Sequence, residues 1–572
     1  MNTNSKRAPE HGAAEHRDTE ASRVEAAVSA MTLRQKIGQM IHCGFHGYEP
    51  GADIERMIRD RYIGGIILFA RNVRDTRQVA AMNAEFQRIA LKSGQPPLTI
   101  AIDQEGGMVA RLTEGVALMP GNMAIAAGGE PQNAYEAARI TAEELLALGA
   151  NLNYAPVLDV NVNPANPVIG VRSYGESPEL VAEYGAMAVR GLQEAGVTAT
   201  AKHFPGHGDT NVDSHLDLPT VGHSRERINE VELVPFRRAI AAGIDAIMSS
   251  HIYFPSFETK KLPVTLSYNV LTGLLREELG FEGVIMTDCM EMKAIADHYG
   301  TVDAAVMAVE AGADCVLISH RHDLQEGAIE ALVAAVESGR ISEARITESA
   351  RRLLAMKEKR GITAESVVTV ADESYYTGSA FRSVGSREHL ETAQRISEAS
   401  LTLIKDEAGL IPLRRGERTL VISVLAAAVS EVDESVDLPV TLGQALAAQG
   451  VDVEERSVLL EEVGSSLAEL AALAGSFGQV VVGTYNASLR PEQAALVRAM
   501  IDAGRQPVVV ALRNPYDIAA FPDVTAYVTA YESRPLALQS AAKVLAGTIA
   551  ATGRTPVTIH RDYPAGWRRE PK

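Results

Sequence analysis

Short apolar runs punctuate the first two thirds of the chain at 38–43, 64–69, 98–103, 152–159, 198–203, 246–251, 284–288 and 314–319. Each is brief enough for a buried strand, and between them lie longer stretches whose apolar positions fall three and four apart, the spacing of a helix with one buried face. The helical stretches carry their own boundary signals. Ser177 before Pro178 is an N-cap followed by proline in the first turn, and Gly191 or Gly196 marks the stop. Ser224 and Thr301 open two more, which stop near Gly243 and at Gly312. Eight strand–helix repeats predict a (β/α)8 TIM-type barrel over residues 25–360, in preference to a doubly wound sheet. Residues 1–24 are polar and expected to be disordered, and 361–398 reads as a polar linker. From 399 to 572 a second alternating pattern, with strands at 401–405, 419–424, 480–484, 507–512 and 526–529, predicts a smaller α/β sandwich domain.

Composition narrows the functional classes. The 572 residues carry a net charge of −19, which argues against nucleic acid or an anionic membrane as partner. No apolar run approaches the ~20 residues of a membrane span. The N-terminal segment lacks the apolar core of a secretion signal, so the cytoplasm is the expected compartment. The three cysteines, Cys43, Cys289 and Cys315, sit in apolar strand-like contexts and read as buried free thiols, with no CxxC pair. Neither a phosphate-binding P-loop nor a dinucleotide fingerprint occurs, and no cofactor is expected. Oligomeric state is not legible.

The chemistry concentrates in Lys202-His-Phe-Pro-Gly-His-Gly-Asp-Thr-Asn-Val-Asp213-Ser-His215, which follows the fifth apolar run. An aspartate two residues before a histidine, here Asp213 and His215, can orient the imidazole and hold its charge for acid–base work. The glycines of 205–208 are expected to give the loop freedom to move. Asp103, Lys202, His203, His251 and Asp288 all fall at the C-terminal ends of predicted strands, where barrel enzymes carry their reactive groups. Asp288 closes an apolar strand, a costly place for a carboxylate unless it is used or paired, and is the candidate nucleophile. Asp103 and Glu105 suit the hydroxyls of a sugar; Arg111 and Arg172 can reach the same mouth or form ion pairs. Glu291 reads as a solvated or capping acid at the start of the next helix. A metal site built from His203, His207, Asp209, Asp213 and His215 is disfavoured by the absence of an HExxH pair, so no metal is expected.

These motifs resemble the bacterial β-N-acetylglucosaminidases of glycoside hydrolase family 3. The likeness extends to Asp103-Gln-Glu-Gly-Gly, to Ile169-Gly-Val-Arg172-Ser-Tyr, to 275–288 ending in Met-Thr-Asp288, and to 401–413 in the second domain. It implies a retaining exo-acting hydrolase that releases terminal N-acetylglucosamine from muropeptides or related glycosides. Asp288 would be the nucleophile, His215 the general acid and then base with Asp213 as partner. Asp103, Arg111, Arg172, Lys202 and His203 would bind the sugar. His207 and Asp209 are assigned to shaping the loop. Cys289-Met290 after the nucleophile departs from the Asp-Leu of many relatives. Two alternatives stand beside this reading: a phosphorylase that uses phosphate as acceptor, and a catalytically silent sugar-binding or scaffolding protein.

Overall fold

A computed structural model describes residues 9–367, 373–425 and 440–569, with backbone alone for 9–19. Its first unit is a closed barrel of eight parallel strands: β1 (Ile41–Cys43), β2 (Gly65–Leu68), β3 (Thr99–Ile102), β4 (Leu152–Asn153), β5 (Thr198–Phe204), β6 (Ala246–Ser249), β7 (Val284–Cys289) and β8 (Cys315–Ile318). Every strand pairs in parallel with its sequence neighbours, with register shifts at β5–β6 and β7–β8, and β8 closes on β1. Nearly all of their residues are buried, since a parallel sheet wrapped in helices has no wet face. β4 is much shorter than its apolar run. Pro156 has no N–H to give to the ladder, and beyond it only an isolated bridge joins Val157 to Lys202. Ser177 and Ser224 cap as expected, their hydroxyls accepting the N–H of Leu180 and Arg227. The second of these helices is broken in two, Arg225–Glu230 and Leu233–Ala241.

The two ends of the barrel divide their labour. At the N-terminal end, Asp245 and Asp314 sit just before β6 and β8 and tie down the last helix, Glu343–Lys359, and its C-cap. Asp245 binds Lys359 and Arg360, and Asp314 binds Arg345, Arg352 and Arg276. These pairs hold the scaffold; the groups singled out for chemistry lie at the opposite end.

The second unit is a six-stranded sheet of β9 (Thr402–Asp406), β10 (Thr419–Leu425), β11 (Val453–Leu459), β12 (Gln479–Thr484), β13 (Val508–Ala511) and β14 (Ala526–Thr529), in the order β9-β14-β13-β12-β10-β11. β9 runs antiparallel to β14 and the rest are parallel. Alternate strand residues feed two cores. Val481, Val510 and Val528 pack under helices Leu442–Ala448 and Pro535–Leu545; Val480, Val482, Val509 and Tyr527 face the side of Val463–Ala474 and Pro491–Asp502. The sheet is thus covered on both faces.

Three expectations need amendment. β11 is absent from the apolar pattern because Glu454, Glu455 and Arg456 occupy its centre. The stretch expected to be disordered at 1–24 is helical from Pro9 in a helix that runs to Ala30; only its last turns are apolar, with Val24 and Val28 against Leu354. Residues 1–8 lie outside the described residues. Within the expected linker 361–398 the chain forms helices Ser374–Thr377, Ser379–Ser383 and most of Arg387–Ser400, whose buried Ala393 and Ile396 dock on the barrel's helices; 368–372 lie outside the description.

The second unit reaches the barrel mouth through Arg534. This buried guanidinium donates to the carbonyls of Gly107 (2.9 Å) and Met108 (2.9 Å), in the turn of a short hairpin, Gln104–Gly106 with Val109–Ala110, that rises from β3. Beside it Glu532, pushed up to about 7 by burial, accepts the N–H of Gly121. Gly107, at φ +56°, is obligatory in this contact: a Cβ there would stand 2.5 Å from the Glu532 carboxylate and 2.6 Å from the Gly121 Cα. Arg534→Ala strands two buried carbonyls and removes two charge-assisted bonds. It is expected to cost roughly 2–4 kcal/mol in chemical denaturation, and to raise KM more than it lowers kcat, because the hairpin lies between Asp103 and Arg111, which line the barrel mouth.

Candidate active site

A cavity of about 360 Å3 opens at the C-terminal end of the barrel. Its floor is apolar, with Ile67, Met248 and Leu317; its walls hold Asp103, Arg111, Tyr154, Arg172, Lys202, His203, His215 and Asp288. Seven of the eight residues proposed from sequence thus line one space, and the eighth, Asp213, is bonded directly behind His215.

One wall is a buried ion network. Lys202, at the end of β5, lies 2.7 Å from Asp103 and 2.7 Å from Glu105. Arg172, in the 3-10 turn Gly170–Arg172, grips Glu105 with two bonds of 2.8 and 2.9 Å, and Arg111 reaches Asp103 at 3.5 Å. Burial alone would raise the Glu105 pKa, but Arg172 and Lys202 against it hold the carboxyl well below the usual range. The same pairing overcomes burial and raises the pKa of both cations. The two arginines are therefore internal ion-pair partners as well as cavity lining.

The loop after β5 forms the opposite wall. His215 Nδ1 lies 2.7 Å from Asp213 Oδ1, which also accepts the His215 backbone N–H at 2.9 Å, so ring and main chain are fixed by one carboxylate oxygen. Burial opposes a charge on His215, but the bond to Asp213 and its charge, helped by Asp288, outweigh burial and raise the imidazole pKa. Asp213 is lowered despite its burial by the same pairing. His207 bonds Thr210 and Ser214 through its two ring nitrogens, and Asp209 bonds His223. With His203 held by Asp159 at 2.7 Å, each member of the supposed metal cluster is spent on a partner of its own. The loop's glycines meet close packing in this conformation. A Cβ on Gly208 would fall 1.8 Å from the Val160 carbonyl oxygen, and one on Gly206 2.8 Å from Glu232.

Asp288 differs from the other acids of the cavity. It accepts the N–H of Cys289 at 2.7 Å, and the charges that overcome its burial and lower its pKa are imidazoles: His251, then His203, then His215. It stands ionised without being clamped in a fork by arginine. His251, also singled out at a strand end, lies behind the cavity wall. Its Nε2 donates to the Cys289 carbonyl and its Nδ1 meets Thr265, and burial lowers its pKa, so it braces the strand end rather than facing the cavity.

Several site groups escaped the sequence reading. Asp159 closes the fourth apolar run and orients His203, and its strand-end position was the available signal. Phe69 and Arg71, after β2, and His320, after β8, follow runs with no accompanying motif. Glu291 is not a helix cap: its carboxylate accepts the His320 N–H at 2.7 Å, while Met292 precedes the helix Lys293–Tyr299. Of the three thiols, Cys43 and Cys315 are buried as expected, but Cys289 is partly exposed on the cavity wall.

A free-standing carboxylate, Asp288, and a carboxylate-poised imidazole, His215, line one barrel mouth, an arrangement that suits glycoside hydrolysis. Residues 32–356, more than half of the chain, match the family described as Glycosyl hydrolase family 3 N terminal domain, and the chain belongs to that family. It is 32% identical to Beta-hexosaminidase A of Pseudoalteromonas piscicida over 94% of this chain and 98% of that one. With the Beta-hexosaminidase of Thiobacillus denitrificans it shares 37% identity over 49% of this chain and 78% of that protein. Among solved structures it resembles a glycoside hydrolase family 3 beta-N-acetylglucosaminidase from Paenibacillus sp. str. FPU-7. The TM-score is 0.88 and the identity 49%, over 93% of this chain and 99% of that one.

The division between structural and reacting acids is testable without substrate. Glu105→Gln leaves Arg172 and Lys202 short of a buried countercharge and is expected to cost about 3–5 kcal/mol in denaturant titrations. Asp288→Asn, which has no guanidinium partner to strand, is expected to cost less than Glu105→Gln, but still some stability at neutral pH, because the lowered Asp288 pKa means that its ionised form favours the fold.

Proposed function

We propose that this glycoside hydrolase is a retaining exo-β-N-acetylglucosaminidase in which Asp288 attacks the anomeric carbon and His215 handles the proton. The observation that carries the reading is the contrast among the acids. Asp103 and Glu105 are neutralised by Lys202, Arg111 and Arg172, whereas Asp288 is held ionised by imidazoles and open to the cavity. A paired carboxylate is a poor nucleophile but a rigid acceptor for sugar hydroxyls. Asp288 is left for covalent chemistry.

The steps then balance as in other retaining enzymes, with an imidazole in place of the second carboxylate. Asp288 forms a bond to the anomeric carbon as the glycosidic C–O bond breaks, and His215 gives its proton to the departing oxygen. His215, now neutral, takes a proton from water, which adds to the anomeric carbon and frees Asp288. Asp213 holds the ring's tautomer and stabilises its charged form throughout. Names of relatives support N-acetylglucosamine as the sugar. Water is favoured over phosphate as acceptor because Lys202 and Arg172 are already engaged by Glu105 and Asp103. Muropeptides in the cytoplasm are the natural substrate this reading favours. Three unpaired thiols suit a reducing compartment, and among the described residues no helix is long and apolar enough to cross a membrane.

A 2-fluoro-glycoside with a good leaving group is expected to trap Asp288 covalently, as read by peptide mass spectrometry. Labelling of another acid would overturn the assignment. His215→Ala should slow substrates with poor leaving groups by ~10²–10⁴-fold while sparing activated aryl glycosides; equal losses on both would make His215 structural. The reaction needs ionised Asp288 and protonated His215. Asp288's pKa is lowered, so its limb lies on the acid side of the ordinary carboxylate range. His215's is raised, so activity is lost only as pH climbs above about 6.5, the ordinary imidazole value. Asp213→Asn removes the charge that raises it and is expected to move the alkaline limb of kcat/KM downward.

A further inference from the structure

Beside the nucleophile, the cavity wall holds a second constellation that the reaction does not use. Cys289, the residue after Asp288 on β7, Glu291, two residues further on, and His320, just beyond β8, each present one donor atom, and the three donors lie within 4.8 Å of one another. All three line the cavity. We propose that Cys289, Glu291 and His320 form an inhibitory site for a thiophilic divalent cation of the zinc class, seated next to Asp288.

The donor set selects the ion. One sulfur, one imidazole nitrogen and one carboxylate oxygen are the ligands zinc and cadmium prefer, whereas magnesium and calcium seek oxygens alone. Zn–S and Zn–N bonds are about 2.3 and 2.0 Å, so donors around a tetrahedral ion stand roughly 3.5 Å apart. The donors, all within 4.8 Å of one another, have to draw together by roughly 1 Å to meet this geometry. Two of the ligands are already oriented. Glu291 is anchored by the His320 backbone N–H at 2.7 Å, and the His320 ring lies against Phe69, with centroids 5.4 Å apart. Three protein ligands leave the fourth position to water or to an incoming group on the cavity side. Binding replaces the thiol proton: the S–H bond breaks, the S–metal bond forms, and the proton goes to solvent.

Inhibition follows from the covalent connection. The Cys289 N–H is bonded to Asp288 Oδ1, so sulfur and nucleophile share a single peptide junction. A dication there attracts the Asp288 carboxylate, lowers its nucleophilicity and occupies space beside the scissile bond. This half of the inference rests on Asp288 being the nucleophile; metal binding itself does not.

The experiment uses the full chain, stripped of metal, and titrates it with cadmium while following sulfur-to-cadmium charge-transfer absorption in the ultraviolet. One equivalent is expected to saturate the band. Cys43 and Cys315 are fully buried, so Cys289→Ser should abolish it. Zinc should inhibit turnover of an aryl N-acetylglucosaminide reversibly, with chelator restoring the rate. Each variant is then compared with its own metal-free rate. The half-inhibitory zinc concentration is expected to rise on the order of 100-fold in Cys289→Ser and at least ~10-fold in Glu291→Gln and His320→Ala. A missing band, a band that survives Cys289→Ser, or inhibition unchanged in both Cys289→Ser and His320→Ala would overturn the site. His320 is exposed, so its variant keeps the test sound if Cys289→Ser folds poorly. A band without inhibition would retain the metal site and remove its inhibitory role. Absence of turnover on every glycoside would count against the catalytic reading and leave the absorption result standing.

Discussion

The barrel mouth depends on the pairing of Glu105 with Arg172 and Lys202. Burying one carboxylate and two cations is tolerable only if they meet, and they come from three places far apart in sequence: the hairpin above β3, the 3-10 turn after β4, and the end of β5. Once they meet, the relative positions of these elements are determined. Lys202 also holds Asp103, and Arg172 lines the cavity beside them. The second unit contributes by holding the hairpin's turn through Arg534, which gives a sheet with no residue among those lining the cavity a hand in its shape.

A consequence is that charge in this cavity falls into two kinds. The network formed by Asp103, Glu105, Lys202, Arg111 and Arg172 is held by direct ion pairs. The Asp288, His215 and Asp213 group is balanced within itself and by imidazoles: against burial, Asp213 raises the His215 pKa, and neighbouring histidines lower those of the two carboxyls, with no Lys or Arg among the described residues clamped onto them.

Much of this was legible in the chain. The eight apolar runs locate all eight barrel strands, because a strand buried on both faces must be apolar throughout. The strand-end acids and the Asp213–His215 pair sit where the reading put them, because the fold sends the residue after each strand into the mouth. What was not legible has physical causes. β4 is cut short by a proline that an apolar run conceals. Glu105 was weighed as a sugar ligand beside Asp103, and its role as the centre of the ion network depends on partners 67 and 97 residues away in a fold not yet assembled. His320 and Phe69 stand on loops without motifs. Gly206 and Gly208 look like hinges in sequence, yet their backbones are pressed against Glu232 and Val160, and nothing local distinguishes a packed glycine from a free one.

The charged edge strand β11 bears on how copies of the molecule meet. It ends the second sheet, and an open strand edge invites another strand to extend the ladder. Glu455 is turned inward, where it accepts bonds from Ser423, Thr441 and the N–H of Gly443, while Glu454 and Arg456 pair with each other on the outside. A neighbouring chain that docked along this edge would have to bury those charges or strip them from their partners. The residues that hide the strand from hydrophobic periodicity thus also discourage fibrous, edge-to-edge growth at a protein's most adhesive border.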